Sequence, residues 1–418
     1  MGYRRPALGG IIAAGWLAAS LPAMGADNVL DLPIGDATRA GREVAVTLDG
    51  VLDTRAGELV TPAEFARRLA NTRVLFNGEE HTTPEFHDVE LSAIQALHDA
   101  GREVLIGLEM YPYDQQAPLD QWIDGKLTEK GFVDLSGWYV YWSHHWGYYR
   151  DIFNYAREQG LRMYGVNMPR ASVNLAREKG FEALDPEARA HLPPKIDLTN
   201  AEHRRLFRAY FSDDDALHSK MSEAQLDQLY RAQVTWDAAM GWNAAQALEK
   251  HGGKNAIIVI LIGAGHVAYN LGGVRQLAAN YGGEIRSLIP VAVRAGGDPV
   301  GPVRASYADF IWGVPGRDGP GLPVLGVSLA GRIGKEPSKV IQVDRDGSAA
   351  QAGIKVGDVI VRLGATPIGS TTDLQRATGE YAWGDGTALE IRRDGQPMTL
   401  DLVFRRPTPT GPTPKKQP

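Results

Sequence analysis

The 418-residue sequence contains no cysteine. That absence excludes disulfides, thiolate zinc or iron–sulfur sites, a cysteine nucleophile and a lipidated N-terminal cysteine. Any metal would have to be held by His, Asp, Glu, Tyr, Met or water. A basic excess is missing too. Lys and Arg total 44 against 50 Asp and Glu, a formal net charge of −6, which is the wrong sign for non-specific nucleic-acid binding. After the N-terminal segment, no apolar run reaches the roughly 18 residues of a membrane-spanning helix, so the mature chain is expected to lack one. A nucleotide-binding glycine loop is also absent, because Gly263-Ala264-Gly265 lacks the third spaced glycine. Histidine is missing after His266. All ten histidines lie between His81 and His266, which confines imidazole chemistry to the N-terminal part of the chain.

What is present starts with Arg4 and Arg5, an apolar run from Ala7 to Ala19, and small residues ending at Gly25-Ala26. This order describes a secretory signal peptide over residues 1–26, and a periplasmic or secreted location. From Val51 to Tyr281 apolar runs alternate with amphipathic stretches. Arg73–Asn77, Glu103–Leu108, Leu161–Val166 and Ala256–Ile262 are predicted strands. Pro84–Ala100, Tyr148–Gln159 and most of Ala201–Lys250 are predicted helices. The alternation predicts an α/β domain over 27–312, a mostly parallel sheet covered by helices. Ala295–Pro323 is rich in Gly and Pro and reads as a linker, centred on 313–322, with a small apolar patch at Phe310-Ile311-Trp312. Short strands and tight turns follow over 323–406, including an Asp394-Gly395 hairpin turn, and predict a small mainly-β domain. The tail from Pro407 has nothing apolar to bury and is expected to be disordered.

The chemistry gathers where the predicted strands end. Gly78-Glu79-Glu80-His81 follows the first, Glu109-Met110-Tyr111 the second, Asn167-Met168-Pro169-Arg170 the third and Gly263-Ala264-Gly265-His266 the fourth. Parallel sheets bind ligands beyond the carboxyl ends of their strands, so Glu79, His81, Glu109 and His266 are expected to share one polar site. Two carboxylates and two imidazoles suit a divalent metal such as Zn²⁺ or Mn²⁺. They suit metal-free acid–base catalysis equally well. A second feature is the aromatic stretch Trp138–Tyr149, which also holds His144 and His145. It offers an apolar wall for a flat aromatic ligand, with Tyr or His available to iron.

These residues resemble a known family. Gly78-Glu79-Glu80-His81 with Pro84 and His87, Leu108-Glu109-Met110, Asn167-Met168-Pro169-Arg170, Arg231-Ala232-Gln233, Trp236-Asp237 with Met240, and Gly263–Tyr269 follow the order of the ChaN-like haem-binding proteins. Those proteins belong to the wider Tiki and erythromycin-esterase superfamily. The resemblance covers about Val51 to Trp312 and implies haem binding and a role in haem or iron uptake. It also implies a tyrosine ligand with a histidine contributed across a homodimer. Tyr111 and Tyr113 are the tyrosines placed for that role. His144, His145, Asn167 and Arg170 complete the expected haem contacts. The superfamily's enzymes would place catalytic or metal-binding roles on Glu79, His81, Glu109 and His266. Many ChaN-like proteins are lipoproteins, and the missing cysteine excludes that anchor here.

The C-terminal domain resembles a bacterial PDZ domain. Leu325-Gly326-Val327 matches the loop that holds a peptide carboxylate, Gly347–Ile360 the central stretch, and Thr371–Thr378 the helix beside the groove. The resemblance implies docking of a C-terminal peptide or extended strand by β-augmentation. The favoured reading is an exported haem- or iron-binding protein with a docking module. A Glu/His hydrolase, with or without a metal, and a PDZ adaptor with a catalytically silent first domain remain open, so the sequence leaves undecided whether the protein is an enzyme.

Overall fold

The computed structural model describes residues 28–210, 221–294, 301–317, 319–330 and 338–406. The expected signal peptide and C-terminal tail lie outside them. The described chain divides into two compact units, with the boundary in the chain between Pro323 and Val324.

The first unit is built on an eight-stranded sheet. Its spatial order is Glu58–Val60, Val51–Asp53, Phe310–Pro315, Glu284–Val293, Thr72–Glu79, Ala256–Gly263, Glu103–Pro112, Met163–Asn167. The last six run parallel, and the first two form an antiparallel hairpin at the edge. The α/β architecture read from the sequence is therefore the observed one. All eight residues of Ala256–Gly263 are buried, as a strand covered on both faces requires. Successive side chains point to opposite faces. Ile257, Val259 and Leu261 pack with Val89, Ile94 and Leu97 of helix Pro84–Asp99 and with Phe153 of helix Arg150–Gln159. Ile258, Ile260 and Ile262 pack on the other face with Met240, Ala244 and Leu248 of helix Glu223–His251. Fully burying each such side chain stabilises the fold by about 1.5–3 kcal/mol.

Local signals set the helix ends. Ser222 and Gln225 form a capping box at the start of the 29-residue helix Glu223–His251. Gly160, at φ +66°, closes Arg150–Gln159 in the left-handed conformation that glycine tolerates. Two strands run further than the sequence suggests. Thr72–Glu79 carries Glu79 as its last residue, and Glu103–Pro112 extends four residues past Leu108.

The linker reading needs correction. Phe310–Pro315 is a strand inside the sheet, parallel to Glu284–Val293 and antiparallel to Val51–Asp53. Phe310, Trp312 and Val314 face one core and Ile311 the other, the alternation of a buried strand. Gly313 exchanges backbone hydrogen bonds of 2.9 Å with Gly50 and Asp49. A Cβ at Gly313 would overlap the Thr47 carbonyl, which is why composition there looks like a linker.

The second unit is an antiparallel sheet in the order Val327–Ala330, Ser338–Val343, Val359–Leu363, Gly386–Arg393, Gln396–Val403. Helix Thr371–Thr378 supplies Leu374 and Ala377 to its core. Asp394 and Gly395 both have positive φ, +51° and +81°, as the hairpin turn demands. The buried Asp358 carboxylate accepts two 2.8 Å hydrogen bonds from Arg393, which ties the turn preceding Val359 to the end of Gly386–Arg393.

Gly313→Ala tests the strand assignment. A free linker would tolerate it, whereas the sheet position should lose about 1–3 kcal/mol through overpacking, read as a lower urea midpoint of the full chain.

Candidate functional site

The sheet delivers its polar residues to one edge because three adjacent strands end in register. Glu79 closes Thr72–Glu79 opposite Gly263, and Glu109 lies in the extension of Glu103–Pro112. The Gly263 N–H donates to Glu109 Oε2 at 2.7 Å. A Cβ on Gly263 would sit 3.0 Å from His81 Cε1, so glycine there lets the imidazole lie against the strand end. His81 Nδ1 is 2.8 Å from Glu79 Oε1, and His266 Nε2 is 3.4 Å from Glu109 Oε1. Glu79, His81, Glu109 and His266 thus converge as two carboxylate–imidazole pairs. Among them His81 has the most exposed side chain, at 23%, so a ligand would approach over its ring.

Each pair is extended inward. Tyr149 donates its hydroxyl to Glu79 Oε1 at 2.7 Å. His87, from the first turn of helix Pro84–Asp99, places Nε2 3.4 Å from Glu79 Oε2 and Nδ1 2.9 Å from Glu90 Oε2. On the other side Asp237 Oδ1 lies 2.7 Å from His266 Nδ1, with Gln233 Nε2 at 2.9 Å. Asp237 Oδ2 reaches His203 Nε2 at 3.3 Å, and Tyr230 approaches His203 Nδ1 at 3.1 Å. Nearly all of this is buried, so the charges answer to one another rather than to water.

The titration pattern follows. Burial opposes charge on Glu79, yet His81 and His87 hold its carboxyl down at about 2. Burial would lower His81, but Glu79 holds it up at about 9. Burial likewise opposes the charge on His266, and Glu109 with Asp237 keeps it up at about 10. Burial and the Glu79 charge push Glu90 up to about 8. His144 is the exception. Burial and the positive His81 ring, 4.9 Å away, pull it down to about 3. It is therefore a neutral imidazole at neutral pH. Its ring also lies 5.1 Å from Trp142, and Trp142 packs edge-on to His81 at 4.6 Å.

The other residues predicted from sequence fall in different places. Tyr111 is fully buried in the core, donates to Ser136 Oγ at 2.7 Å, and has its phenol raised by burial. Tyr113 stacks on His191 with centroids 3.4 Å apart. His145 Nδ1 accepts from Gly147 N–H at 2.9 Å. Asn167 donates to the Glu109 carbonyl at 2.9 Å and so braces the strand that carries Glu109. Arg170 donates to the Tyr141 carbonyl at 3.1 Å, at the edge of the aromatic stretch. Sequence reasoning quoted His87, Gln233 and Asp237 only as residues of the family resemblance and Tyr149 only within the aromatic stretch, and it singled out neither Glu90 nor His203. The available signal was polar residues on helix faces that should be apolar: Gln233 and Asp237 inside Glu223–His251, and His87 and Glu90 one turn apart in Pro84–Asp99.

Among the described residues, Glu79, His87 and Glu90 form a group in which one possible ligand atom from each lies within 4.8 Å of the others. It differs from the quartet predicted from sequence and shares only Glu79 with it.

In the second unit, Gly326 adopts φ +75° between Leu325 and Val327. The Leu325 carbonyl accepts from Ala349 N–H and the Gly326 carbonyl from Asp344 N–H, both at 2.9 Å. Val327–Ala330 ends the sheet, and among the described residues it is paired on one side only.

A family model described as haem-binding uptake, Tiki superfamily, ChaN matches residues 65–277, and a PDZ model matches 323–403. Protein RETICULATA-RELATED 5, chloroplastic, of Arabidopsis thaliana is 24% identical over 211 residues, covering 48% of this chain and 28% of that protein. A probable periplasmic serine endoprotease DegP-like of Pseudomonas putida is 41% identical over 65 residues, covering 16% of this chain and 14% of its own. The chain therefore spans less than a third of either curated relative. The solved structure of cofacial heme binding to ChaN of Campylobacter jejuni aligns at 17% identity with a TM-score of 0.49, covering 63% of this chain and 95% of that one.

The charge pattern fixes a pH dependence. His81 and His266 have folded values above the unfolded histidine value of about 6.5, and Glu90 is raised too. Between those limits the folded state binds more protons than the unfolded one, so stability falls as pH rises. The histidine contribution is complete below about pH 6.5 and lost toward pH 10. Denaturant midpoints measured from pH 6.5 to 10 should fall, and His266→Gln should flatten the slope. An unchanged slope would mean that His266 is not held protonated.

Proposed function

Because the chain belongs to the ChaN family of haem-binding uptake proteins in the Tiki superfamily, we propose that it binds haem over the aromatic stretch beside the strand ends, as an exported protein of haem or iron uptake. The observation that carries this is His144, a half-buried imidazole held neutral at about 3 beside Trp142 and His81. A neutral imidazole offers iron a nitrogen lone pair, which a protonated one does not. The donor set fits the group. Trp142 and Tyr141 supply half-buried aromatic surface, and the exposed Arg170, tied to the Tyr141 carbonyl, supplies a cation for a propionate. Tyr111, with its hydroxyl committed to Ser136 inside the core, is left out of this assignment. Haem when bound would bring a ferric centre in need of such a donor. The protein's own residues hold and orient it, and the protonated His81 lies next to the site.

A PDZ module gives the second half of the proposal. The Gly326 loop and the edge strand Val327–Ala330 suit an extended peptide that ends in a free carboxylate. The resemblance to a periplasmic endoprotease over this kind of domain supports an exported setting.

One observation favours a second reading, an acid–base hydrolase. Glu109, His266 and Asp237 form a carboxylate–imidazole–carboxylate line facing the Glu79–His81 pair, an arrangement that positions an imidazole for proton transfer.

Haemin titration of the full chain, followed in the visible region, tests the first reading. A saturable Soret band of defined stoichiometry is expected, and His144→Ala should weaken affinity by about tenfold or more, equal to at least ~1.4 kcal/mol. A flat response would remove haem and leave the acid–base reading. For the PDZ unit, a fluorescent peptide ending in an apolar residue with a free carboxylate should bind, and its C-terminally amidated form should lose most of that affinity. Equal binding of the two would rule out carboxylate capture by the Gly326 loop.

A further inference from the structure

Glu79, His87 and Glu90 form a cluster that neither haem nor hydrolysis explains. The side chains of Glu79 and Glu90 have no exposed surface, and that of His87 is 3% exposed. Each carboxylate leaves one oxygen without a hydrogen-bond partner, Glu79 Oε2 and Glu90 Oε1. Orphaned carboxylate oxygens away from water are costly, and folded proteins rarely keep them without a cation or ordered water nearby. Here they flank one imidazole, and one possible ligand atom from each residue lies within 4.8 Å of the others.

From this cluster we infer a binding site for a first-row divalent metal ion, held by Glu79, His87 and Glu90. It goes beyond the haem reading and does not depend on it. The cluster is built from two rigid elements. Glu79 ends a central strand, while His87 and Glu90 stand three residues apart on helix Pro84–Asp99 and so share one face. The outer shell is in place as well. Tyr149 and His81 Nδ1 both bind Glu79 Oε1, which leaves Oε2 as the oxygen turned toward His87. One imidazole and two carboxylates are a zinc-type donor set, and the lack of cysteine leaves no softer competitor. On binding, the ion would displace the protons held by the His87 and Glu90 pair, and those protons would go to solvent. His87 also lines a small cleft of about 120 Å³ together with Pro84, Tyr148, Asp88 and Asp151, and the two exposed aspartates favour entry of a cation.

The test uses the full chain, stripped with a chelator, reloaded with Zn²⁺ and passed through gel filtration before metal analysis. One zinc per chain is expected. Glu90→Gln and His87→Gln should each lower affinity by roughly tenfold or more, the loss seen even when outer-shell partners are removed. Co²⁺ substituted for Zn²⁺ should give a visible ligand-field band that Glu90→Gln abolishes. Glu90→Gln keeps the side-chain shape, so it decides the matter if His87→Gln fails to fold. Three results would overturn the inference: no retained zinc, equal zinc in wild type and Glu90→Gln, or zinc lost in Glu109→Gln but kept in Glu90→Gln. The last would assign the ion to the strand-end quartet. None of these readouts involves haem, so the two proposals fail separately.

Discussion

A carboxylate with no exposed surface stays ionised only if cations or donors surround it, and Glu79 imposes that condition on everything near it. Its two oxygens face Tyr149, His81 and His87. Those partners come from the aromatic stretch, the loop after the first parallel strand and the following helix. The strand places the carboxylate, the glycine at 263 makes room for the His81 ring, and the aromatic stretch closes over the top. Removing one partner would leave a buried charge uncompensated, which costs far more than the pair contributes. The protonation of His81 descends from that charge, which also adds to burial in raising Glu90, while His144 is kept neutral by burial and the positive His81 ring.

The second carboxylate, Glu109, is managed differently. A backbone N–H and one imidazole face it, and Asp237 backs that imidazole from a helix on the opposite side of the sheet. The two pairs therefore respond to different supports. Packing of the aromatic stretch governs the first, and the long helix Glu223–His251 governs the second.

Much of this was legible in sequence because strand ends announce themselves. Apolar runs stop, glycine follows, and charged residues appear, which is how Glu79, His81, Glu109 and His266 stood out together. The supporting residues Gln233, Asp237 and His87 stood out only through the family resemblance, and what they touch was not legible. Asp237 and Gln233 sit in the interior of a 29-residue helix, where periodicity reports a face but not what it touches. Tyr111 illustrates a boundary effect. The strand continues to Pro112, so Tyr111 is a core residue of that strand rather than the first residue of a ligand loop. Phe310–Pro315 shows the opposite failure. Glycine and proline suggested a linker, while the alternating Phe310, Ile311, Trp312 and Val314 carried the truer signal. In the second unit the turns were legible because Asp-Gly and Leu-Gly-Val require particular backbone geometry.

That strand also has a consequence for how the domain is made. Val51–Asp53 pairs with Phe310–Trp312, residues separated by some of the greatest sequence distance in the unit. A ribosome delivers the chain from its N-terminus, so the hairpin Val51–Val60 emerges first and has no sheet to join until the last strand arrives. Its exposed edge must wait through the synthesis of every helix in the domain, a period in which an unpaired strand is open to the wrong partner. Closure from the far end turns completion of the sheet into a late event, and a chain truncated before Phe310 would carry that open edge permanently.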